Sequence, residues 1–384
     1  MVLNSPKQKP LTVRTFGSFS ELSPHYAAVS TRGNPTLSAA WLSALESTGC
    51  VSEERGWVPN HIGVFEDETL VAAMPAYVKF NSEGEFIFDH AIARAAPQFG
   101  VRYFPKLLIA VPFTPATGPR VLYAEGTPPE RAELAAAAAL NALLQQLPVS
   151  SVHMLFAEKA VAERMQNGWL LHRHSLQFHW RNRNFESFES FLATLPSKRR
   201  TNIRRERRAL TEQQIRIENV RGQALEARHA DLAYELYLTT VDKFMWGRRY
   251  LNRAFFEEVI HTMPEAIDLV LAFERDANTP IAGAFNLRGA NTLYGRYWGT
   301  HKEVPFLHFN VCFYHSIARC IEEGVQTFEP GAGGEHKLAR GFEPTITHSL
   351  HAFREPRLSA VVDDYFTRER ALLASEIGGE AADG

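Results

Sequence analysis

The chain has 384 residues, 45% hydrophobic and 22% charged, with a net charge of −2 at neutral pH. It is too long for one ordinary core, so two soluble globular domains are expected, and its near-neutral balance excludes the pervasive charge of a nucleic-acid coat protein. Its three cysteines (Cys50, Cys312, Cys320) have no metal-ligand spacing and leave an odd count, so no disulfide framework is expected and the compartment is read as reducing.

Residues 1–10 are polar, read as disordered, and lack the apolar segment of a signal peptide. No apolar run reaches the length of about eighteen residues that a spanning helix needs, so no membrane span is expected and the default location is cytoplasmic. Residues 11–16 alternate as a strand, and 36–46 read as a helix with Ser38 and Trp41 near its start. Strands follow at 61–66, 70–80 and 85–88, with turns at Glu66-Asp67-Glu68 and Asn81-Ser82-Glu83-Gly84. Next comes an apolar segment broken by Pro105, Pro112, Pro115 and Pro119, which reads as a stiff loop carrying Tyr103, Lys106, Thr114, Thr117 and Arg120. Those hydroxyls and cations suit an acceptor-binding wall, and a core-covering loop fits equally well. An alanine-rich helix is expected at 130–147, a strand at 150–156, a short helix from Glu158, and a strand at 170–181. On that last strand Gln177, His179 and Arg181 share one face and could point into a cleft. His172 and His174 also share a face, but no third ligand is apparent, so zinc is not expected.

The pattern then starts again. Helices at 188–195 and 197–210 are separated by Pro196. Lys198 to Arg208 holds seven cations and one carboxylate in eleven residues. Arg200, Arg204, Arg207 and Arg208 fall on one helical face, which repels itself unless something anionic lies against it. Arginine favours forked contacts to phosphate or carboxylate, so Lys198, Arg199, Arg200 and Arg204 are candidate donor-binding residues. The alternative is a solvated helix whose charges pair with nearby acids. A strand at 215–220, helices at 231–244 and 253–263, and a meander at 269–274, 281–288 and 292–299 follow. By alternation Tyr294, Arg296 and Trp298 share one face and Tyr297 takes the other. Such a face suits stacking on a base, sugar or acyl group, or simply packing under a helix. The helix at 306–323 begins near His308, whose pKa the helix dipole would lower, and carries His315 as a packed core residue. Strands at 325–329 and 345–353 flank a glycine-rich turn, Glu329-Pro330-Gly331-Ala332-Gly333-Gly334-Glu335-His336-Lys337, whose backbone N–H groups could cradle an anion. A tight surface turn with solvated charges is the plain alternative.

Long motifs tie these segments together: 102–107 running into 111–120, Gln177-Phe178-His179-Trp180, 198–208, Tyr294-Gly295-Arg296-Tyr297-Trp298, 304–309 and 334–342. On them, from about Thr12 to Tyr365, the chain resembles the bacterial family described as peptidoglycan biosynthesis/recognition, a FemAB-like branch of the GNAT acyltransferase superfamily. The resemblance implies an α/β (α+β) fold of two GNAT-like acyltransferase domains, each a mixed, mostly antiparallel sheet flanked by helices, with a cleft between them. The expected division is 11–185 and 186–370, followed by a loose tail at 371–384. Fem-type relatives transfer an amino acid from aminoacyl-tRNA to the amine of a peptidoglycan precursor, which implies N-acyl or aminoacyl transfer here.

Amide formation requires that an amine lose its proton, that an oxyanion find donors, and that the acyl donor be held in line. Glu335 or His336 could take the proton. Lys337 and Arg340 are read as donor-phosphate or oxyanion contacts. Tyr294, Arg296, Trp298, His308, Lys106, Thr114, Arg120 and His179 complete the candidate substrate-binding set. No metal or permanently bound cofactor is expected. The phosphate loop of acetyl-CoA enzymes is missing from the sequence, which lowers acetyl-CoA as donor and leaves aminoacyl-tRNA or another acyl-CoA. The acceptor would be a small-molecule or peptide amine. A non-catalytic protein that recognises an anionic cell-wall precursor is the alternative.

Overall fold

The computed structural model describes residues 2–3, 10–166, 169–243 and 248–382. Its strands are β1 (Val2–Leu3), β2 (Leu11–Phe16), β3 (Trp57–Pro59), β4 (His61–Glu66), β5 (Thr69–Met74), β6 (Ala76–Lys79), β7 (Lys106–Ile109), β8 (Leu122–Tyr123), β9 (Ser151–Ala157), β10 (Leu171–Arg181), β11 (Ile215–Arg221), β12 (Ile267–Glu274), β13 (Ala282–Arg288), β14 (Thr292–Thr300), β15 (Thr327–Glu329) and β16 (Glu343–Phe353). Its helices are α1 (Phe19–Tyr26), α2 (Ala39–Ser47), α3 (His90–Ala95), α4 (Pro129–Gln146), α5 (Lys159–Met165), α6 (Phe188–Ala193), α7 (Ser197–Glu212), α8 (Ala227–Val241), α9 (Arg253–Thr262), α10 (Leu307–Phe309), α11 (His315–Glu322) and α12 (Pro356–Ala382). The expected mixed α/β class is the one found.

Two compact units result, one of residues 1–32, 37–176 and 346–383, the other of 33–36 and 177–345. The second therefore ends before residue 370. The chain returns to the first unit because β16 pairs antiparallel with β9, Phe353 opposite Ser151 and Leu350 opposite Met154. Most of residues 1–10, read as disordered, lie outside the described residues, but Val2–Leu3 pairs with β2. The expected loose tail from 371 is helical to Ala382. The single strand expected at 70–80 is broken at Pro75 into β5 and β6, which join different sheets, and 85–88 forms no strand.

In the first unit, α4 lays Ala132, Ala136, Ala139 and Leu140 against Val64, Met74, Val152 and Met154. Small alanines let the helix approach the sheets closely, and burying each larger aliphatic chain stabilises the fold by about 1.5–3 kcal/mol. Among the charged groups buried in this unit, one forms a cluster with two carboxylates. Lys106, at 1% exposure, donates to Glu85 Oε2 at 2.7 Å and also to Asp89, which accepts the Tyr103 hydroxyl at 2.7 Å.

In the second unit the sheet runs β11-β12-β13-β14-β15 and then the end of β10, with Trp180 opposite Phe328. Strands β12 to β14 form the expected antiparallel meander, β11 pairs antiparallel with β12, and β15 lies parallel to β14 from Thr292 to Tyr294. Beyond Tyr294 the two part company: β15 stops at Glu329 while β14 continues to Thr300. That flank of β14 is left open for a loop and a cavity.

Replacing Lys106 with Met strands two buried carboxylates. Loss of one partner from a buried ion pair costs about 3–5 kcal/mol, so Lys106→Met is expected to lower the urea midpoint markedly, and an unchanged midpoint contradicts this account.

Candidate functional site

The site starts from helix α7. Its buried stripe is Ile203, Glu206 and Leu210, at helical spacing, so the only carboxylate among the seven cations faces inward. Glu206 accepts two hydrogen bonds from Arg340 Nη2, at 2.9 and 3.1 Å, and a third from the Tyr314 hydroxyl. Arg340 is itself buried. Its guanidinium carbon lies 3.3 Å from the centroid of the Phe309 ring, and its Nη1 donates to the carbonyl of His336 at 2.8 Å. A paired, stacked guanidinium thus fixes the short helical turn Glu335–Arg340 against α7. The basic helix and the glycine turn do meet, through the helix's one buried acid.

The arginines of α7 have separate duties. Arg200 Nη1 donates to the carbonyl of Leu195 at 3.0 Å, and Arg204 pairs with Glu189 at 2.7 Å. Arg207 lies over the Phe188 ring at 4.1 Å, and Arg199 reaches the Leu338 carbonyl at 3.5 Å, a long contact. The expected all-guanidinium face is in good part paired with its own neighbours, as the plainer reading held. Lys198 and Arg208 are exposed.

A cavity of about 220 Å³ opens beside the glycine turn. Arg296, Trp298, His308, His336 and Lys337 line it, with Gly295, Cys312, Phe313, Pro330 and Gly333. All belong to the second unit, and no α7 side chain is among them. The turn bends sharply, with positive φ at Gly331, Gly333 and Gly334. It brings the Lys337 amine inward, 2.8 Å from the carbonyl of Gly331. Lys337 is 4% exposed, and burial pushes its pKa down to about 8. Burial also holds His308 down to about 4, with His336, Arg340 and Lys337 adding to the effect. Desolvation, and not the helix dipole expected from sequence, is the first cause. In place of a plain helical start, α10 is a single turn followed by a π-turn at Asn310–Tyr314. His336 is lowered by burial and by its cationic neighbours, and is more exposed. The two imidazole centroids are 6.1 Å apart. At pH 7 the cavity therefore presents neutral imidazoles beside one ammonium. The side chain of Glu335 lies outside what the structure describes.

Strand β14 departs from simple alternation. Phe285 pairs with Tyr297 but Asn286 pairs with Gly295, so Arg296 is an extra residue, a bulge. After it the faces exchange. Tyr294, buried, is on the face of Tyr297, and Tyr297 packs on Tyr237, Phe256 and Phe285. Trp298 turns to the cavity, with its ring centroid 5.1 Å from that of His308. The shared face expected for Tyr294, Arg296 and Trp298 is thus corrected. Gly295 was the available signal, since a Cβ there would come 3.1 Å from the Cα of Pro330.

Other expected residues lie elsewhere. Lys106, Thr114 and Arg120 are buried in the first unit. Lys106 is ion-paired, Thr114 Oγ1 donates to the Pro112 carbonyl at 2.8 Å, and Arg120 donates to the Leu155 and Ala116 carbonyls at 2.7 Å. They brace a core-covering loop and offer no acceptor wall. His179 is buried, bonded to Gln177 Oε1 at 3.0 Å and with Nδ1 4.0 Å from Glu329 Oε1. Burial holds its pKa down to about 3. His315 bonds Asn219 and serves as a packing residue. The expectation that His172 and His174 lack a third partner is overturned, since β16 brings His348 beside them.

The model of the FemAB-like family, described as peptidoglycan biosynthesis/recognition, matches residues 20–382. The chain belongs to that family. Among solved structures, FemX is 10% identical, with a TM-score of 0.53 over 92% of this chain and 100% of its own. L-PGS from Bacillus licheniformis is 10% identical, with a TM-score of 0.46 over 79% of this chain and 85% of its own. A tandem GNAT protein from the clavulanic acid biosynthesis pathway is 10% identical, with a TM-score of 0.39 over 89% of this chain and 98% of its own. No curated protein sequence matches the chain. The FemX likeness concerns the fold alone, and membership of the FemAB-like family supports a transferase. Among the described residues no helix is long and apolar enough to cross a membrane.

Two substitutions separate the buried pair from the surface pair. Glu206→Gln leaves Arg340 buried without its countercharge and should cost about 3–5 kcal/mol. Glu189→Gln, at an exposed pair, should cost at most about 1 kcal/mol. Equal denaturation midpoints for the two variants would remove Glu206 as the anchor.

Proposed function

We propose that this FemAB-like protein is an N-acyltransferase whose cavity beside the glycine turn accommodates the reacting ends of an acyl donor and an amine. Support comes from one juxtaposition: an ammonium with a pKa near 8 (Lys337) and neutral imidazoles (His336, His308) around one cavity at the open flank of β14. The donor is an aminoacyl or acyl ester or thioester, and the acceptor is a small-molecule or peptide amine, with a peptidoglycan precursor as the family's expectation.

The amine attacks the acyl carbonyl and a C–N bond forms. The resulting oxyanion needs a cation or N–H donor, and the Lys337 ammonium is the candidate, its charge strengthened by exclusion from water. The attacking nitrogen must then shed a proton. His336 is neutral at pH 7 and accessible, which suits it to accept that proton, and Glu335 is the other candidate. The C–O or C–S bond breaks as the carbonyl reforms, and the leaving group takes up a proton. Arg296, at the bulge, and Trp298 suit recognition of the acyl portion.

The cavity is smaller than the roughly 300–1,000 Å³ of drug-sized ligand sites, so the bulk of a carrier would have to lie outside it. The exposed cations of α7 favour a polyanionic carrier such as aminoacyl-tRNA over acyl-CoA. A recognition protein without turnover is the competing class. Incubation with labelled aminoacyl-tRNA or acyl-CoA and an amine panel separates the two: a transferase yields labelled amide, and a binder yields saturable binding alone.

The sign of the pH response follows from Lys337. Its ammonium form is complete well below pH 8, so kcat/KM should fall as pH rises through about 8, and Lys337→Met should abolish that limb together with most of the rate. A rate that rises through pH 8 would instead make the free amine the base.

Removing exposed cations with Lys198→Ala and Arg208→Ala should lower the slope of log affinity against log salt for an RNA-borne donor. A decrease of about 0.7–0.9 is expected for each phosphate that a cation no longer neutralises, and an unchanged slope excludes α7 from donor binding.

A further inference from the structure

In the first unit, β10 and β16 lie together, with the Thr347 hydroxyl donating to the Ser175 carbonyl at 3.3 Å. Alternation along β10 places His172 and His174 on one face, and β16 brings His348 to the same place. One nitrogen from each of these imidazoles lies within 4.8 Å of the other two. We infer that His172, His174 and His348 form a binding site for a divalent transition-metal cation of the zinc class, with a fourth position left for water or a carboxylate.

The geometry is close to what such an ion requires. A tetrahedral site with metal–nitrogen distances of about 2.0–2.1 Å has its nitrogens about 3.3 Å apart. His172 Nε2 and His348 Nδ1 are 3.0 Å apart, where they share a hydrogen bond. Insertion of a metal would replace that bond and open the pair by a few tenths of an ångström. His174 must swing inward, and it can: it is the more exposed of the three, and its ring takes up no hydrogen bond among the described residues. Its ring centroid stands 4.7 Å from that of His172 and 5.0 Å from that of His348, nearly perpendicular to both. The His172 and His348 rings are tilted by 38° to each other, with centroids 5.1 Å apart.

The chemistry of the donor set narrows the ion. Three imidazoles without a thiolate suit zinc, copper or nickel and disfavour calcium and magnesium, which take oxygen. Burial keeps all three rings below the usual histidine range, so their lone pairs are available at neutral pH without loss of a proton. Lys159 and Arg370 bring positive charge near the cluster, while Glu163 and Glu369 oppose it. Glu163 on α5, now 3.7 Å from Lys159, is the carboxylate suited to the fourth position.

The experiment uses the full chain without an affinity tag, stripped with a chelator and titrated with zinc alone against a chromophoric competitor. Wild type is expected to bind one zinc per chain and to gain thermal stability from it. His348→Ala and His174→Ala should each weaken binding by at least about tenfold, the low end of what the removal of even a ligand-orienting neighbour costs. Cobalt bound to wild type should show visible bands of a tetrahedral imidazole site without thiolate charge transfer, a readout that needs no variant to fold. His336→Ala, in the second unit, should bind zinc as wild type does. Absence of binding at micromolar zinc, wild-type affinity in the His174 and His348 variants, or loss of binding in the His336 variant overturns the assignment. None of these outcomes bears on acyl transfer, so the two readings fail separately.

Discussion

A single inward carboxylate organises the second unit. Glu206 sits where the apolar stripe of α7 would otherwise continue, and a buried charge is tolerated only with a partner and enough hydrogen bonds. Arg340 and Tyr314 supply them. Arg340 in turn stacks on Phe309 and holds the carbonyl of His336. A basic helix, a π-turn and a glycine loop therefore converge on one ion pair. The backbone that carries His336 and Lys337 is positioned by that pair and not by sheet hydrogen bonds.

The catalytic proposal depends on a second constraint, the parting of β14 and β15. Parallel pairing ends at Tyr294 opposite Glu329, and the open flank of β14 has to be covered by something other than a strand. The glycine loop covers it and leaves the cavity. Burial inside that cavity then sets the electrostatics, lowering Lys337 towards neutral pH and keeping the imidazoles uncharged. The bulge at Arg296 adds a rotation that exchanges Tyr294 for Trp298 at the cavity wall.

Much of the fold was legible locally. The alanine-rich α4, the meander from β12 to β14 and the helix after Pro196 follow from periodicity and from breakers, because neighbours in sequence decide them. The glycine turn and His308, His336 and Lys337 were legible as candidates, since glycine density and clustered titratable groups carry a local signal, and the fold gathers them around one cavity. Between an acceptor wall and a core-covering loop, Lys106 and Arg120 could not be decided locally, because a buried, paired cation and an exposed ligand-binding cation look alike in a sequence. Glu206 went unread as an anchor although its spacing to Ile203 and Leu210 put it on the buried stripe.

By itself the sequence determined the kinds of element and where most begin, the family motifs, and which side chains have chemistry to offer, because these depend on short spacings. Only the tertiary structure decided which of those side chains are solvated, which are spent on internal pairs, and which meet. His348 is far in sequence from His172 and His174, as Arg340 is from Glu206, and no local periodicity encodes such a meeting. Burial also sets the protonation of Lys337 and the histidines, and burial is a property of the packed chain.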